Sequence, residues 1–385
     1  MTETSKDMRH EMQETEIIFE VDGTGVESEQ TEGEDRITEP FDPTMIRVET
    51  RPMSMDLLIT RIKEGEINLM PGFQRKAGIW SEGAQSRLIE SMLIRIPLPA
   101  FYMDATDEND WLIVDGLQRL TTIKKFAIDK KMKLTGLEFL DQIEGKTFDE
   151  LPRSFQRRIK ETQVTVYLIE KGTPPQVKFN IFKRINTEGL PLSPQEIRHA
   201  LNQGRATSLL EELANSSEFK LATDYGIHDK RMADRECVLR FMAFSIFPYK
   251  NYKTKDFNSF LNSAMESLNT MSNEKIDFLK NRFLRAMQAS YDIFGRFAFR
   301  KLYKKISWRY PINKALFEVW AVSLGALTPE NLKKVKDQKE KLIEIFIELM
   351  HDRDFESAIS QGTGDIRKVK LRFDNIERIT MEVIK

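Results

Sequence analysis

Residues 113–123 constrain this chain more than any other stretch, because eleven residues encode a strand, a tight turn and the start of a helix. The β-branched pair Ile113 and Val114 favours a strand. Gly116 then permits the positive φ that a sharp turn needs, and apolar residues recur at helical spacing from Leu117 to Ile123. Such a junction presents free backbone N–H groups at the helix start, where anions bind readily.

The junction also carries polar side chains that suit phosphate chemistry. Asp115 is an acceptor, Arg119 is a cation, and amide and hydroxyl groups accompany them at Gln118, Thr121 and Thr122. A guanidinium binds phosphate in a bidentate manner, and such charge-assisted hydrogen bonds are about twice as strong as neutral ones. The alternative is that Asp115 only caps the helix and that Arg119 is solvated.

Two further motifs flank the junction along the chain. The first, Pro71-Gly72-Phe73-Gln74-Arg75, adds a second amide and guanidinium, and the second, residues 182–197, places Asn186 and Gly189 in a predicted turn. Together the three motifs resemble the GmrSD N-terminal family (domain of unknown function 262), a branch of the ParB/sulfiredoxin-like superfamily, over residues 45–202. Family members usually have Asp-Gly-Gln-Gln-Arg in the central motif, so Leu117 departs from the family pattern.

The resemblance implies a fold, a ligand and a set of site residues. The fold is α+β, with a ParB-like N-terminal α/β domain followed by an all-α C-terminal domain. In ParB-like proteins the equivalent cleft binds a nucleoside triphosphate, and Asp115 would hold Mg²⁺, which takes one or two carboxylates together with phosphate oxygens. The implied catalytic residues are Asp115, Gln118 and Arg119, and the implied cofactor-binding residues are Phe73, Gln74, Arg75, Gly116, Thr121, Thr122, Asn186 and Gly189.

Several of these side chains also have structural explanations. Arg75 and Arg119 would bridge two elements instead of binding phosphate. Glu196 stands three residues after Ser193, which is a capping-box spacing, so it would cap a helix over residues 194–203 instead of reaching the cleft. Trp80 would pack in the core instead of stacking on a base.

Length and local composition divide the chain into three parts. A chain of 385 residues is long enough for two domains with separate cores. Residues 1–42 are rich in Glu, Thr and Gly, which predicts a disordered acidic tail. Strand and helix signals alternate over residues 43–205, the predicted nucleotide-binding domain, and helical periods alone follow over residues 206–385.

The net charge of −1 conceals an acidic tail on a basic body. Residues 1–40 carry 13 acidic and three basic side chains, which leaves a net charge of +9 on the remainder. Nucleic-acid binding to segment 280–314, with its interleaved aromatic residues, is therefore one hypothesis. The alternative is that these aromatics, which fall at helical core spacing, belong to the core. The basic residues are Lys280, Arg282, Arg285, Arg296, Arg300, Lys301, Lys304, Lys305, Arg309 and Lys314.

Other features narrow the class of protein. The single cysteine, Cys237, lies in an apolar helical pattern and excludes an internal disulfide framework. No apolar run reaches the roughly 18 to 20 residues of a membrane helix, and the acidic N-terminus lacks a signal-peptide pattern, so we expect no membrane association and a cytoplasmic location. The four histidines are scattered, and no Walker A loop occurs.

These observations lead to three hypotheses of function. The first is a nucleotide-binding, NTP-hydrolysing sensor or regulator in a DNA-defence or modification-dependent restriction system active against phage, with DNA and a separate nuclease subunit as partners and a homo-oligomer as an allowed state. A His-Asn-His nuclease signature is absent from the C-terminal half. The second is a non-enzymatic ParB-like DNA-binding adaptor. The third is a direct DNA nuclease, ranked last because the cleft shows one well-placed carboxylate.

Overall fold

The computed structural model describes residues 23–28, 46–69, 80–185, 192–228, 230–253, 256–304 and 309–385. The described residues fall into two compact units, residues 46–201 and residues 202–385, and the second also includes residues 23–28. The expected fold class is confirmed, since a five-stranded sheet lies in the N-terminal part and the C-terminal part is mostly helical. Among the described residues, no helix is both long and apolar enough to span a membrane.

The sheet of the first unit is mixed, and its strands do not follow chain order. The strands are β1 (Val48–Ser54), β2 (Ile67–Asn68), β3 (Phe101–Asp104), β4 (Trp111–Asp115) and β5 (Gln163–Ile169). Their order across the sheet is β1-β5-β3-β4-β2. The β1/β5 and β3/β4 pairs are antiparallel, and the β5/β3 and β4/β2 pairs are parallel.

In the described residues of this unit, six α-helices accompany the sheet: α1 (Met55–Lys63), α2 (Glu82–Leu93), α3 (Leu117–Ile123), α4 (Arg153–Glu161), α5 (Pro175–Ile185) and α6 (Pro194–Leu201). One face of the sheet packs with α1 to α4, because Trp111 and Ile113 share a core with their apolar residues. Val114 points to the other face, where it joins Phe179 of α5 and Ile197 of α6. The continuous apolar run of β4, from Trp111 to Val114, therefore reflects burial on both faces of the sheet.

Most of these elements follow from local sequence. The serines before α1 and α2, Ser54 and Ser81, accept hydrogen bonds from first-turn N–H groups and so set the helix starts. The alternating apolar residues Val164, Val166 and Leu168 predict a strand over residues 163–169, and strand β5 has these bounds. Strand β1 and helix α4 were not anticipated, because β1 is mostly exposed and α4 buries Ile159 alone.

The second unit is built from ten helices in the described residues. They are α7 (Arg205–Ala214), α8 (Ser217–Ala222), α9 (Ala233–Ile246), α10 (Phe257–Thr270), α11 (Asn273–Phe294), α12 (Lys314–Ala326), α13 (Pro329–Asp337), α14 (Lys339–Met350), α15 (Arg353–Ser360) and α16 (Ile366–Ile384). Helices α9 and α12 are buried on nearly all sides. Cys237 of α9 is fully buried, and burial raises the pKa of its thiol to about 12, which fits the expectation of a packing residue.

A row of alternating charges crosses the interior of this unit. Arg372 of α16 is fully buried and donates its Nε hydrogen to Oε1 of Glu318 at 2.9 Å. On the other side of Glu318, Arg240 Nη1 lies 3.5 Å from Oε2. Arg240 in turn pairs with Glu236 at 2.9 Å, and Glu236 with Lys314 at 3.0 Å. Each charge has an opposite neighbour, which offsets the cost of removing it from water.

Six residues of the tail that we expected to be disordered are ordered against the helical unit. Val26 is buried and forms a parallel bridge with Ile312, and Glu27 forms an ion pair with Lys301 at 2.7 Å. The expectation is therefore wrong for residues 23–28, because pairing and burial compensate for the ordering of this short segment. The remainder of residues 1–42 lies outside the described residues.

The buried charges generate a prediction about stability. Arg372→Met should lower the free energy of unfolding by about 3–5 kcal/mol, since it removes the closest partner of a carboxylate that stays buried. Urea unfolding monitored by circular dichroism measures the change. Arg378→Met is the matched control on an exposed position of the same helix, where the cost should be within about 0.5 kcal/mol. Equal losses in the two variants would contradict the role of the ion row.

Candidate functional site

The predicted strand–turn–helix junction is present and depends on Gly116. Strand β4 ends at Asp115, Gly116 adopts φ 98° and ψ 10°, and α3 begins at Leu117. Among the described side chains, none caps this helix, so Asp115 is not its cap. A Cβ on Gly116 would overlap the ring of Phe101 and lie 2.9 Å from its Cε1 atom. Glycine is therefore required both by the positive φ and by the close approach of the ring.

Arg119 is buried at the centre of the junction, with 8% of the residue exposed. Its Nη2 donates to the carbonyl oxygen of Ala100 at 3.0 Å and to Oδ2 of Asp115 at 2.7 Å, and its Nη1 donates to the carbonyl oxygen of Pro99. The guanidinium carbon lies 4.4 Å from the centroid of the Phe101 ring. Arg119 is thus not a solvated residue; its geometry is that of a bridge between two chain segments, and its role toward phosphate stays a prediction.

Asp115 is the accessible carboxylate of the junction. Its side chain is 37% exposed, and Arg119 holds its Oδ2 atom. Within the part of the chain that the structure describes, no hydrogen-bond donor meets Oδ1. One oxygen is therefore fixed by a buried cation while the other is available to a ligand. A single oriented carboxylate of this kind fits a Mg²⁺ ion that takes its other ligands from phosphate and water.

Two tyrosines continue the line of Asp115 across neighbouring strands. Tyr102 of β3 pairs in register with Asp115 on one side and with Tyr167 of β5 on the other. The two rings are stacked, with centroids 4.7 Å apart and planes 18° from parallel. Burial raises the pKa of Tyr102, and Tyr167 and Asp115 raise it further, so its hydroxyl keeps its proton. Sequence analysis missed this row because strand register is not visible in a single segment.

The other predicted residues of the junction occupy different environments. Gln118 and Thr121 are half-buried in the first turns of α3, and among the described residues the carboxamide of Gln118 has no hydrogen-bond partner. Thr122 is buried, and its hydroxyl donates to the carbonyl oxygen of Gln118 at 2.8 Å. Thr122 is therefore used within the helix, whereas Gln118 keeps its side chain available for a ligand.

Five of the predicted cofactor-binding residues lie outside the described residues. They are Phe73, Gln74, Arg75, Asn186 and Gly189. The capping explanation for Glu196 is confirmed, since its Oε2 accepts from the Ser193 N–H at 2.6 Å and its own N–H donates to the Ser193 hydroxyl at 3.2 Å. Trp80 is half-buried against the core of the first unit, as its packing explanation predicts.

Most of the described basic side chains in segment 280–314 form hydrogen bonds or ion pairs within the protein. Arg282 and Arg285 donate to the carbonyl oxygens of Val322 and Gly325 in α12, at 3.3 and 3.0 Å. Ion pairs join Lys280 to Glu212, Lys301 to Glu27, Arg309 to Asp224 and Lys314 to Glu236.

Arg300 and Lys301 correct the hypothesis of a phosphate-binding surface on this segment. Both are buried, and Arg300 donates to the carbonyl oxygens of Thr223 at 3.1 Å and Tyr310 at 2.5 Å. Burial lowers the pKa of Arg300 to about 10. The hypothesis is wrong for these two side chains because the fold, which the sequence pattern did not reveal, surrounds them. Lys304 is exposed, and Lys305 lies outside the described residues.

Phe294 and Phe299 of segment 280–314 pack in the core of the helical unit, as the alternative to nucleic-acid binding predicted. Phe294 packs on Trp320 and Phe346, and Phe299 packs on Phe317, all within the main core of the helical unit. Stacking of nucleic-acid bases on these rings would require them to leave that core.

Comparison with known families finds a match to the first unit. Residues 56–202 match the model of the GmrSD restriction endonuclease N-terminal domain. This part of the chain is similar to the GmrSD N-terminal domain. The matched range spans the sheet from β2 to β5 and includes the junction at Asp115. No curated protein matches the chain significantly. Among the described residues of the first unit and the helical unit, no group of three or more His, Cys, Asp or Glu side chains is placed to hold a metal ion.

The close approach at Gly116 can be tested by adding one methyl group. Gly116→Ala should destabilise the protein by more than the roughly 1–2 kcal/mol that a left-handed alanine costs, because its Cβ also displaces Phe101. Gly145→Ala is the control: Gly145 has φ 76° and nothing lies within 4 Å of its Cβ position. The difference between the two unfolding free energies measures the overlap with Phe101. A difference near zero would show that the ring moves aside without cost.

Proposed function

We propose that the GmrSD-like domain of this chain binds a nucleoside triphosphate with Mg²⁺ at the Asp115 junction and regulates a DNA restriction system. One observation carries the proposal. The exposed Asp115 carboxylate is oriented by the buried Arg119 beside a turn that only glycine can make, and the domain name itself refers to a restriction endonuclease. A role of this chain in restriction is part of the proposal.

Each residue of the junction has a separate role in this proposal. Asp115 would hold the metal ion through Oδ1 while Arg119 fixes its orientation. Mg²⁺, when bound, neutralises charge on the phosphates and favours their hydrolysis. Gln118 would donate its free carboxamide to a phosphate oxygen or the ribose. Arg119 donates to two carbonyl oxygens and to Asp115, so it contributes to the site mainly through position and charge.

The tyrosine row would serve the nucleoside. A base stacks on an aromatic face with a contribution of about 1–3 kcal/mol, and stacking tolerates different bases. Tyr102 and Tyr167 offer stacked rings one strand away from the metal-binding carboxylate. This arrangement supports binding of the base and the phosphates by neighbouring strands of one sheet.

DNA and a separate nuclease subunit are the partners that the proposal requires. Arg300 and Lys301 make contacts inside the helical unit. Segment 280–314 as a whole is therefore not a DNA-binding surface in this proposal. Nucleotide turnover separates the proposal from a non-enzymatic ParB-like adaptor. Phosphate release by the purified full chain, measured with each of the four ribonucleoside triphosphates and Mg²⁺, decides between them.

The metal-binding role of Asp115 predicts that the effect of its substitution on triphosphate affinity depends on Mg²⁺. With Mg²⁺, Asp115→Asn should weaken triphosphate binding about 10- to 100-fold, the range for a charged contact. With EDTA in place of Mg²⁺, the variant should bind at least as tightly as the wild type, because a carboxylate that repels phosphate is gone. Isothermal titration calorimetry measures both arms. Asp107→Asn removes a carboxylate at an exposed position of the same unit and should change neither arm.

The tyrosine row predicts a selective loss. Tyr102→Leu should weaken binding of a nucleoside triphosphate by about tenfold or more and leave binding of inorganic tripolyphosphate unchanged, since the latter has no base. Tyr102→Phe keeps the ring and should retain the affinity. Parallel loss of both ligands in the leucine variant would indicate that Tyr102 supports the turn and not the base.

A further inference from the structure

The ordered tail segment, residues 24–27, lies like an added strand along a strip of the helical unit. The strip is formed by Gly226, Arg300, Lys301, Ile312 and Asn313. The Glu27 N–H donates to the carbonyl oxygen of Ile312 at 2.8 Å, and the Ile312 N–H donates to the carbonyl oxygen of Gly25 at 3.2 Å. On its other side Ile312 bridges antiparallel to Arg300. The tail segment therefore occupies the edge of a small pairing, which is how extended peptides are bound by strand addition.

A buried clamp recognises the carboxylate of Glu27. Lys301 Nζ lies 2.7 Å from Oε1, and Asn313 Nδ2 lies 3.0 Å from Oε2. Both clamp residues are more than nine-tenths buried. Lys301 also donates to the Ser360 hydroxyl at 2.7 Å and lies 3.4 Å from Glu356, and Asn313 donates to the carbonyl oxygen of Ile359 at 2.7 Å. These contacts keep the clamp in place independently of Glu27.

A second determinant is the glycine two residues before the glutamate. Gly25 has φ 75°, and a Cβ at this position would overlap the carbonyl oxygen of Gly226. A Cβ on Gly226 would lie 2.9 Å from the carbonyl oxygen of Thr223 and 2.5 Å from Arg300 Nη2. Between Gly25 and Glu27, Val26 is buried against the helical unit. The strip thus distinguishes a glycine, a buried β-branched residue and a glutamate in consecutive positions.

We propose that this strip, formed by Arg300, Lys301, Ile312, Asn313 and Gly226, is a peptide-recognition groove that the chain fills with its own residues 24–27. Its partner in trans is an extended acidic peptide with the same Gly-Val-Glu pattern, carried by another protein. In the described residues the cis segment is held by hydrogen bonds, the Glu27–Lys301 ion pair and the buried Val26, without a covalent cross-link to the groove, so it exchanges with a competing peptide. Attachment in cis supplies an effective concentration of order millimolar, which keeps the groove filled until such a partner is abundant.

Fluorescence anisotropy of a labelled peptide with the sequence of residues 21–30 tests the proposal on the full chain. In the variant Gly25→Ala/Glu27→Gln, the cis segment loses both determinants, and the peptide should bind at least about tenfold more tightly than to the wild type, whose cis segment competes. The control Gly145→Ala/Glu49→Gln makes the same two substitutions in the sheet unit, and it should bind the peptide as weakly as the wild type.

Two changes to the recognition pair sharpen the test. We call the chain with Gly25→Ala/Glu27→Gln the opened variant. A peptide carrying Glu27→Gln should bind the opened variant about 10- to 100-fold more weakly than the original peptide does, because a charge-assisted contact is lost. Adding Lys301→Glu to the opened variant should abolish binding of the original peptide and restore binding of a Glu27→Lys peptide. Failure of this exchange of charges would overturn the assignment of the clamp.

The remaining outcomes also decide the question. Equal affinity of the peptide for the wild type and a folded opened variant would overturn the proposal. Tighter binding of duplex DNA, but not of the peptide, would show that the strip is a phosphate-binding surface instead. If the double variant melts below the assay temperature, Glu27→Gln alone replaces it, since Gly25 is intact there, and the same comparison with the wild type decides.

Discussion

The guanidinium of Arg119 is the interaction on which the candidate site depends. It joins the chain entering β3 to the turn after β4, and it covers the ring of Phe101. Because Gly116 has no side chain, the ring can approach the turn closely enough for these contacts to form. The orientation of Asp115 is therefore set by groups that are themselves part of the core. An orienting hydrogen bond in such a buried setting is stronger than the same bond in water.

This coupling has a consequence for how the site tolerates change. A side chain added at position 116 would disturb both the turn and Phe101, which is fully buried among the residues that α1 to α4 pack onto the sheet. Residues that meet a ligand and residues that stabilise the domain are thus adjacent at this point of the chain. Gln118 and Tyr102 lie at its margin and are half-buried, so they are the positions where binding can change with the least effect on folding.

The helical unit shows why the number of basic residues in a segment does not by itself predict a phosphate-binding surface. Arginine has a long apolar stem and five N–H donors, so it satisfies backbone carbonyl oxygens inside a fold as well as phosphates outside it. Arg282, Arg285 and Arg300 all donate to carbonyl oxygens of neighbouring segments. The acidic tail shows the converse, because Glu27 is used as the partner of the buried Lys301. In residues 23–28, the described part of the tail, a negative charge thus meets a positive charge of the helical unit in a specific contact.

The sequence by itself determined the strand–turn–helix junction, the capping box at Ser193 and Glu196, the strand Gln163–Ile169 and the change from mixed to helical structure. These features depend on residues close together in the chain, where propensity, turn chemistry and periodicity act. The tertiary structure alone decided the contacts of Arg119 with the carbonyl oxygens of Pro99 and Ala100, the row formed by Tyr167, Tyr102 and Asp115, the burial of Arg300 and Lys301, and the docking of residues 24–27. Each of these joins segments that are distant in the chain, and their meeting is set by strand order and by core packing, which no local pattern encodes.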